Sequence, residues 1–206
     1  MSTNEQPRSR PGRDRLLHVA RDQFTSRGYA SVSMQQIADA AGMTKGAPYY
    51  HFKNKEELFH DVSIDILSDL KRILTSSVQE EGDFPQRLTR AMRDIITTMA
   101  GNLSQWFIDF RQTLPKTEQM AIVVEAFGTP DIGNVLDPVF ERAVSEGRKL
   151  RVPPSAAARV FLMLLLASVD KRQFQDTLAL ETDLMIDEIV DIFLHGVMEQ
   201  RGGDPE

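Results

Sequence analysis

The chain has 206 residues, 41% of them apolar, with 24 Lys and Arg against 30 Asp and Glu for a formal net charge of −6, and no cysteine. This is an ordinary globular composition, and it excludes disulfides, zinc–thiolate sites and cysteine nucleophiles. The polar, basic start MSTNEQPRSRPGRDR lacks the apolar stretch of a secretory signal, and the longest apolar run, VFLMLLLASV at 160–169, falls short of the roughly 20 residues a membrane span needs, so a buried helix in a cytoplasmic protein with no membrane partner is expected.

Charge is unevenly placed. Residues 1–55 hold nine basic and four acidic residues, and residues 56–206 hold 15 and 26. Phosphate binding depends on the local field, so a basic head on an acidic body remains compatible with nucleic acid.

Apolar residues recur at intervals of three and four, with no strand alternation, so the chain reads as all-α. Residues 1–12, with Pro7, Pro11 and Gly12, have no periodicity and are expected to form a disordered basic arm. A first helix is predicted over about 13–27, with Leu16, Leu17, Ala20 and Phe24 on one face and Gly28 ending it in a left-handed turn. Ser33 and Gln36 form a capping box for a second helix, with Val32 and Ile37 stapled around it. Ile37, Ala38 and Ala41 give that helix an apolar face, and Gly42 stops it.

Thr44 is the predicted N-cap of a third helix running through KGAPYYHF. Two short helices joined by a tight glycine turn form a helix-turn-helix. A fourth helix is expected from Asn54, capped with Glu57, to about Val78, with Leu58, Val62, Ile66, Leu70 and Ile73 on its buried stripe. Further helices are predicted at about 84–101, 103–114, 117–127, 134–147, 154–171 and 182–200, broken at Pro115, at GTPDIG (128–133) and at VPP (152–154).

The third helix has the side chains that DNA recognition needs. A major groove about 12 Å wide admits one helix, whose first turn reads base edges while flanking groups hold phosphates. Thr44 and Lys45 open the segment, Gly46 and Ala47 allow close approach, and Tyr49, Tyr50 and His51 offer hydrogen-bonding rings. Lys53 and Lys55 follow as phosphate contacts, and Ser33 offers its hydroxyl or the amides of a helix start. Phe52 faces the same side as Pro48, toward Phe24 and Ile37, and is assigned to the core; one of the two tyrosine rings is expected to be half-buried with its hydroxyl outward.

The stretch SMQQIADAAGMTKGAPYYHFKNKEELF at 33–59, with Phe24, Gly28 and Tyr29 before it, resembles the N-terminal domain of the TetR family of bacterial regulators over about residues 10–70. The I-A-x-x-A-G core at 37–42, Lys45-Gly46, Tyr49, His51-Phe52 and Lys55-Glu-Glu-Leu fall in register; Pro48 departs from the family's usual apolar residue. The resemblance implies an all-helical fold with an N-terminal three-helix DNA-binding domain at 10–70, its helix-turn-helix at 33–52, and a helical ligand-binding and dimerisation domain at 71–206. It implies a homodimer on a palindromic operator, usually a repressor released by a small molecule. It implies DNA contacts at Ser33, Thr44, Lys45, Gly46, Tyr49, Tyr50, His51 and Lys55.

Two helices are candidates for the dimer face: 160–169, apolar nearly all round, and the last, with Ile186, Ile189, Val190, Phe193 and Val197 on one stripe; the alternative is that both are intrachain core, and the dimer reading is preferred because an operator dimer needs a self-complementary surface. Met99, Trp106, Phe107, Phe110, Met120 and Phe127 are candidates for a mainly apolar effector pocket, with Asp109 or Arg111 as polar anchors. Such residues also fill ordinary cores. The effector expected there is a small hydrophobic or aromatic molecule.

Catalysis is not expected. No two of His18, His51, His60 and His195 stand four apart as a helical zinc site requires, and neither a G-x-S-x-G elbow nor a P-loop is present, so no metal or cofactor is expected. The remaining rival is a helical interaction protein whose helix-turn-helix serves only packing; the basic head argues against it.

Overall fold

The computed structural model describes residues 11–99, 103–169 and 182–199. The expected arm lies outside these residues except for Pro11 and Gly12, which open the first helix: Pro needs no amide partner in a first turn. The described residues form α1 (Pro11–Arg27), α2 (Met34–Ala40), α3 (Ala47–His51), α4 (Lys55–Gln79), α5 (Phe84–Thr98), α6 (Ser104–Thr113), α7 (Lys116–Phe127), a 3₁₀ turn (Ile132–Val135), α8 (Asp137–Ser145), α9 (Pro154–Val169) and α10 (Thr182–Val197). The fold is all-α as expected, and the sole strand-like contact among the described residues is an isolated bridge between Leu150 and Met198. None of the described helices is long and apolar enough to cross a membrane.

Packing gathers the chain into two units, residues 1–67 with 102–126 and residues 68–101 with 127–206. The division therefore falls within α4. It also places α6 and α7 with the head helices.

In the first unit Leu16, Ala20 and Phe24 of α1 meet Ile37, Ala38, Phe52, Leu58, Phe59, Val62 and Ile66, all buried. Phe24 and Phe59 lie edge to face with ring centroids 5.3 Å apart, and Tyr29 closes the cluster 4.8 Å from Phe59. Arg13 pairs with Asp61 and Arg21 with Asp65, tying α1 to α4 at its rim.

The second unit is built on rings. Phe140 stands 5.2 Å from Phe84 and 6.0 Å from Phe193, both edge-on, and Phe193 lies 5.4 Å from Phe161. Arg87, only 1% exposed, reaches Glu146 at 2.9 Å and the Gly82 carbonyl at 3.2 Å. Hydrogen bonds from Arg87 and Arg142 hold the Glu146 carboxyl down at about 2.

Two stripes differ from expectation. On α4 the buried residue of the fifth turn is Leu74, which continues the four-residue step of Leu58, Val62, Ile66 and Leu70, while Ile73 is only half-buried. On α10 Ile186, Val190, Phe193 and Val197 are buried within their own chain, so this stripe is intrachain core and is not free to form a dimer face; Ile192, 72% exposed, points the other way. α9 is apolar on both sides: Ala157, Ala158, Phe161 and Leu165 are buried, while Val160, Met163 and Leu166 stay outward.

Candidate DNA-binding surface

α1 ends where Gly28 takes φ +82, and its amide still reaches the Phe24 carbonyl at 3.0 Å. The chain turns through Tyr29–Val32 and enters α2 at Ser33, which has extended backbone angles. The capping box is complete: Ser33 Oγ accepts from the Gln36 amide at 3.2 Å, and Gln36 Oε1 accepts from the Ser33 amide at 2.8 Å. Gly42, at φ +65, closes α2, with the Met43 amide donating to the Ala38 carbonyl at 2.9 Å.

The third helix starts later than predicted. Thr44 accepts from the Ala47 amide in a tight turn, Gly46 is the cap residue, and α3 spans only Ala47–His51. Pro48 favours this: it supplies no amide and its fixed φ suits the first turn of a helix. Thr44, Lys45 and Gly46 therefore lie on an exposed bend ahead of the helix.

So short a helix has one inward face. Pro48 and Phe52, four apart, take it and are buried. Both tyrosines consequently face outward, Tyr49 at 59% and Tyr50 at 83% exposure, and neither ring is half-buried in the core as expected of one of them. His51 turns back toward α1: a Cβ on Gly12 would lie 3.1 Å from its Nε2, and its Nδ1 is buried without a hydrogen-bond partner among the described residues.

The two lysines that follow differ. Lys53 is exposed, and its amide donates to Glu57 Oε2 at 2.6 Å while Asn54 Oδ1 caps the Glu57 amide at 2.8 Å. Lys55 is turned inward. Its Nζ donates to the carbonyls of Tyr29 at 2.7 Å and Val32 at 2.8 Å and sits 4.0 Å over the Tyr29 ring. Burial pushes its pKa down, opposed by the charges of Glu56 and Asp109.

Tyr29 is a hub that sequence reasoning assigned no role. Its hydroxyl donates to Glu56 Oε1 at 2.9 Å, and its backbone amide donates to Asp109 Oδ2, from α6, at 2.7 Å. Burial, then the Glu56 hydrogen bond, push the phenol pKa up. Glu56 is held down first by its own backbone amide and then by the Tyr29 hydroxyl. The pairing with Asp109 spans 80 residues. No local pattern announces it.

The candidate effector residues are dispersed. Trp106 is 1% exposed, with its indole N–H donating to Ser63 Oγ at 3.1 Å and its ring 5.2 Å from Phe110. Phe107 is half-buried beneath the Arg111 guanidinium, 5.7 Å from its ring centre, and Met120 is exposed on α7. Met99 and Phe127 are buried and belong to the second unit. Of the two expected anchors, Asp109 is engaged by the Tyr29 amide and by Gln105 Nε2 at 3.1 Å. An open groove on α1, lined by Asp14, Leu17, His18, Arg21, Asp22 and Asp65, contains none of the candidate residues. Among the described residues no group of three or more His, Asp and Glu is placed to hold a metal ion.

Residues 16–62 match the family described as "Bacterial regulatory proteins, tetR family". The HTH-type transcriptional repressor KstR2 of Mycolicibacterium smegmatis is 43% identical over 65 residues, a match that covers 32% of this chain and 31% of that protein. The match thus spans about a third of the relative's length. Two solved structures extend the likeness to nearly the full chain. One, described as a putative TetR-family transcriptional regulator from Mesorhizobium loti, has a TM-score of 0.74 at 23% identity, covering 94% of this chain and all of that one. The other, AibR in complex with isovaleryl coenzyme A and operator DNA, has a TM-score of 0.59 at 26% identity, covering 88% and 97%.

Proposed function

We propose that this chain, whose residues 16–62 match the tetR family of bacterial regulatory proteins, is a transcription regulator of that family, not an enzyme, that binds a palindromic operator as a homodimer and is released by a small, mainly apolar molecule. The observation that carries the reading is the outward face of the helix-turn-helix. Thr44, Lys45, Gly46, Tyr49, Tyr50 and Lys53 are all exposed on one short stretch, beside the start of α2 at Ser33. Lys45 and Lys53 are the phosphate-gripping cations, with the tyrosine hydroxyls and the Ser33 helix start as neutral donors. Lys55 serves the same surface from inside, by holding the turn that presents Ser33. His51 braces α3 against α1. A DNA-bound regulator in a bacterium works in the cytoplasm.

The test begins with selection of duplexes from a random-sequence pool by the wild-type protein. A consensus with two-fold symmetry is expected. Lys45→Ala should then weaken binding to the selected duplex and make the slope of log affinity against log salt shallower by about 1.8, about 0.9 for each of the two phosphates that the dimer no longer neutralises. An unchanged slope and affinity would remove the assignment of this surface to DNA.

Release by an effector draws support from AibR, whose structure holds isovaleryl coenzyme A, and from the Met and aromatic content of α5–α7. A thermal-shift panel of short-chain acyl-coenzyme A thioesters and apolar acids tests it. A binding compound raises the melting temperature by mass action and weakens the operator complex. No shift with any of them would count against an acyl or apolar effector.

A further inference from the structure

We propose that Asp109 of α6 is a positioning residue for the DNA-binding surface, fixing the Gly28–Ser33 turn through the Tyr29 amide; the proposal rests on the DNA-binding reading above. A helix ending on a left-handed glycine commonly satisfies the next amide within the helix, through the carbonyl near its last turn. Here Gly28 keeps its own bond to Phe24, but the Tyr29 amide leaves the helix and donates to the Asp109 carboxylate at 2.7 Å.

Two further facts show a built contact. The carboxylate is oriented, because Gln105 Nε2 donates to its other oxygen at 3.1 Å. The approach is also close: a Cβ on Gly28 would lie 3.3 Å from both Asp109 Oδ2 and the Gln105 side chain. Gly28 is required by its φ and by this contact together. Helix stabilisation alone does not account for the acid, since a carboxylate at the C-terminal end of α1 opposes the helix dipole.

The same turn is gripped from the other side. Lys55 takes the Tyr29 and Val32 carbonyls, so residue 29 has its N–H on Asp109, its C=O and ring on Lys55 and its hydroxyl on Glu56. Four residues later Ser33 opens α2. The direction of the α2 start is thus set by one acid and one base, and removing either lets the turn rotate about the remaining one.

Asp109→Ala should lower affinity for the selected duplex about tenfold at a temperature where far-ultraviolet circular dichroism shows it fully folded. Asp109→Asn, which keeps an acceptor oxygen, should recover most of that loss. In amide NMR spectra the Tyr29 N–H should shift upfield and exchange faster in the alanine variant and be largely restored in the asparagine variant. Should Asp109→Ala fail to fold, Asp109→Glu serves instead: it keeps the charge and displaces the acceptor by one methylene, and it should move the Tyr29 signal and weaken binding severalfold. A displaced Tyr29 amide with unchanged DNA affinity overturns the proposal, as does a Tyr29 amide that no Asp109 variant moves. Lys45→Ala, measured alongside, separates the two readings. If it weakens binding and the Asp109 variants do not, only the positioning role falls; if it too has no effect, the DNA surface itself is misassigned.

Discussion

Phe24→Ala is expected to destabilise the protein by about 3–5 kcal/mol, the usual cost of emptying a fully enclosed phenylalanine site. Phe24 has no exposed surface, meets the Phe59 ring edge-on at 5.3 Å and lies 5.7 Å from the Tyr29 ring. Phe59 lies on α4, which the Arg13–Asp61 and Arg21–Asp65 pairs tie to α1, and Tyr29 is held by Asp109, Lys55 and Glu56, so the space can collapse only partly. A loss of this size is a large share of a typical domain's roughly 5–15 kcal/mol. Denaturant titration should show the midpoint falling sharply, and duplex binding should be lost in step with the folded fraction. A cost below about 1 kcal/mol would mean that the ring does not carry the head's core.

Met163→Asp is expected to turn the proposed homodimer into a monomer and cost about 100- to 10,000-fold in operator affinity, the range by which linking two binding modules exceeds either alone. Met163 is 68% exposed on α9, between Val160 and Leu166 at 45% each. In the homodimer reading this exposed apolar face of α9 is the subunit contact. In a two-fold interface the substitution appears twice, burying two carboxylates against apolar neighbours at a cost of several kcal/mol. Sedimentation velocity gives the mass, and titration of a single half-site distinguishes lost pairing, which leaves half-site affinity intact, from damage to the head. A variant that remains dimeric would assign the α9 face to another partner.

Most helix limits were legible because their causes are local. Gly28, the Ser33–Gln36 box, Gly42, Pro115 and the breaks at 128–133 and 152–154 act within a turn of where they stand, and α1, α2 and α4–α10 begin and end within a few residues of expectation. The start of α3 was misjudged because Thr44 looks like a cap, whereas it accepts a tight-turn bond and leaves the helix to Pro48. The outward turn of both tyrosines follows from that shortening. Long-range pairings left no local trace. A lysine reads as a solvated cation until two carbonyls at 29 and 32 are seen to hold Lys55. Asp109 reads as a pocket anchor until the Tyr29 amide is found against it. The α10 stripe has the same periodicity whether it faces its own chain or another, and only burial decides between them.

Trp106 has a last consequence, in optics. It is the only indole in the chain, it is dry, and its N–H is committed to Ser63 on α4. Excitation of tryptophan therefore samples a single seam, where α6 meets α4 one turn from the Asp109 contact. Its emission should be blue-shifted, as for an indole shielded from water, and uncomplicated by other emitters of its kind. Any shift of α6 against α4 that frees the indole edge or admits water would redden and change that emission, so the native protein carries its own site-specific reporter without a label.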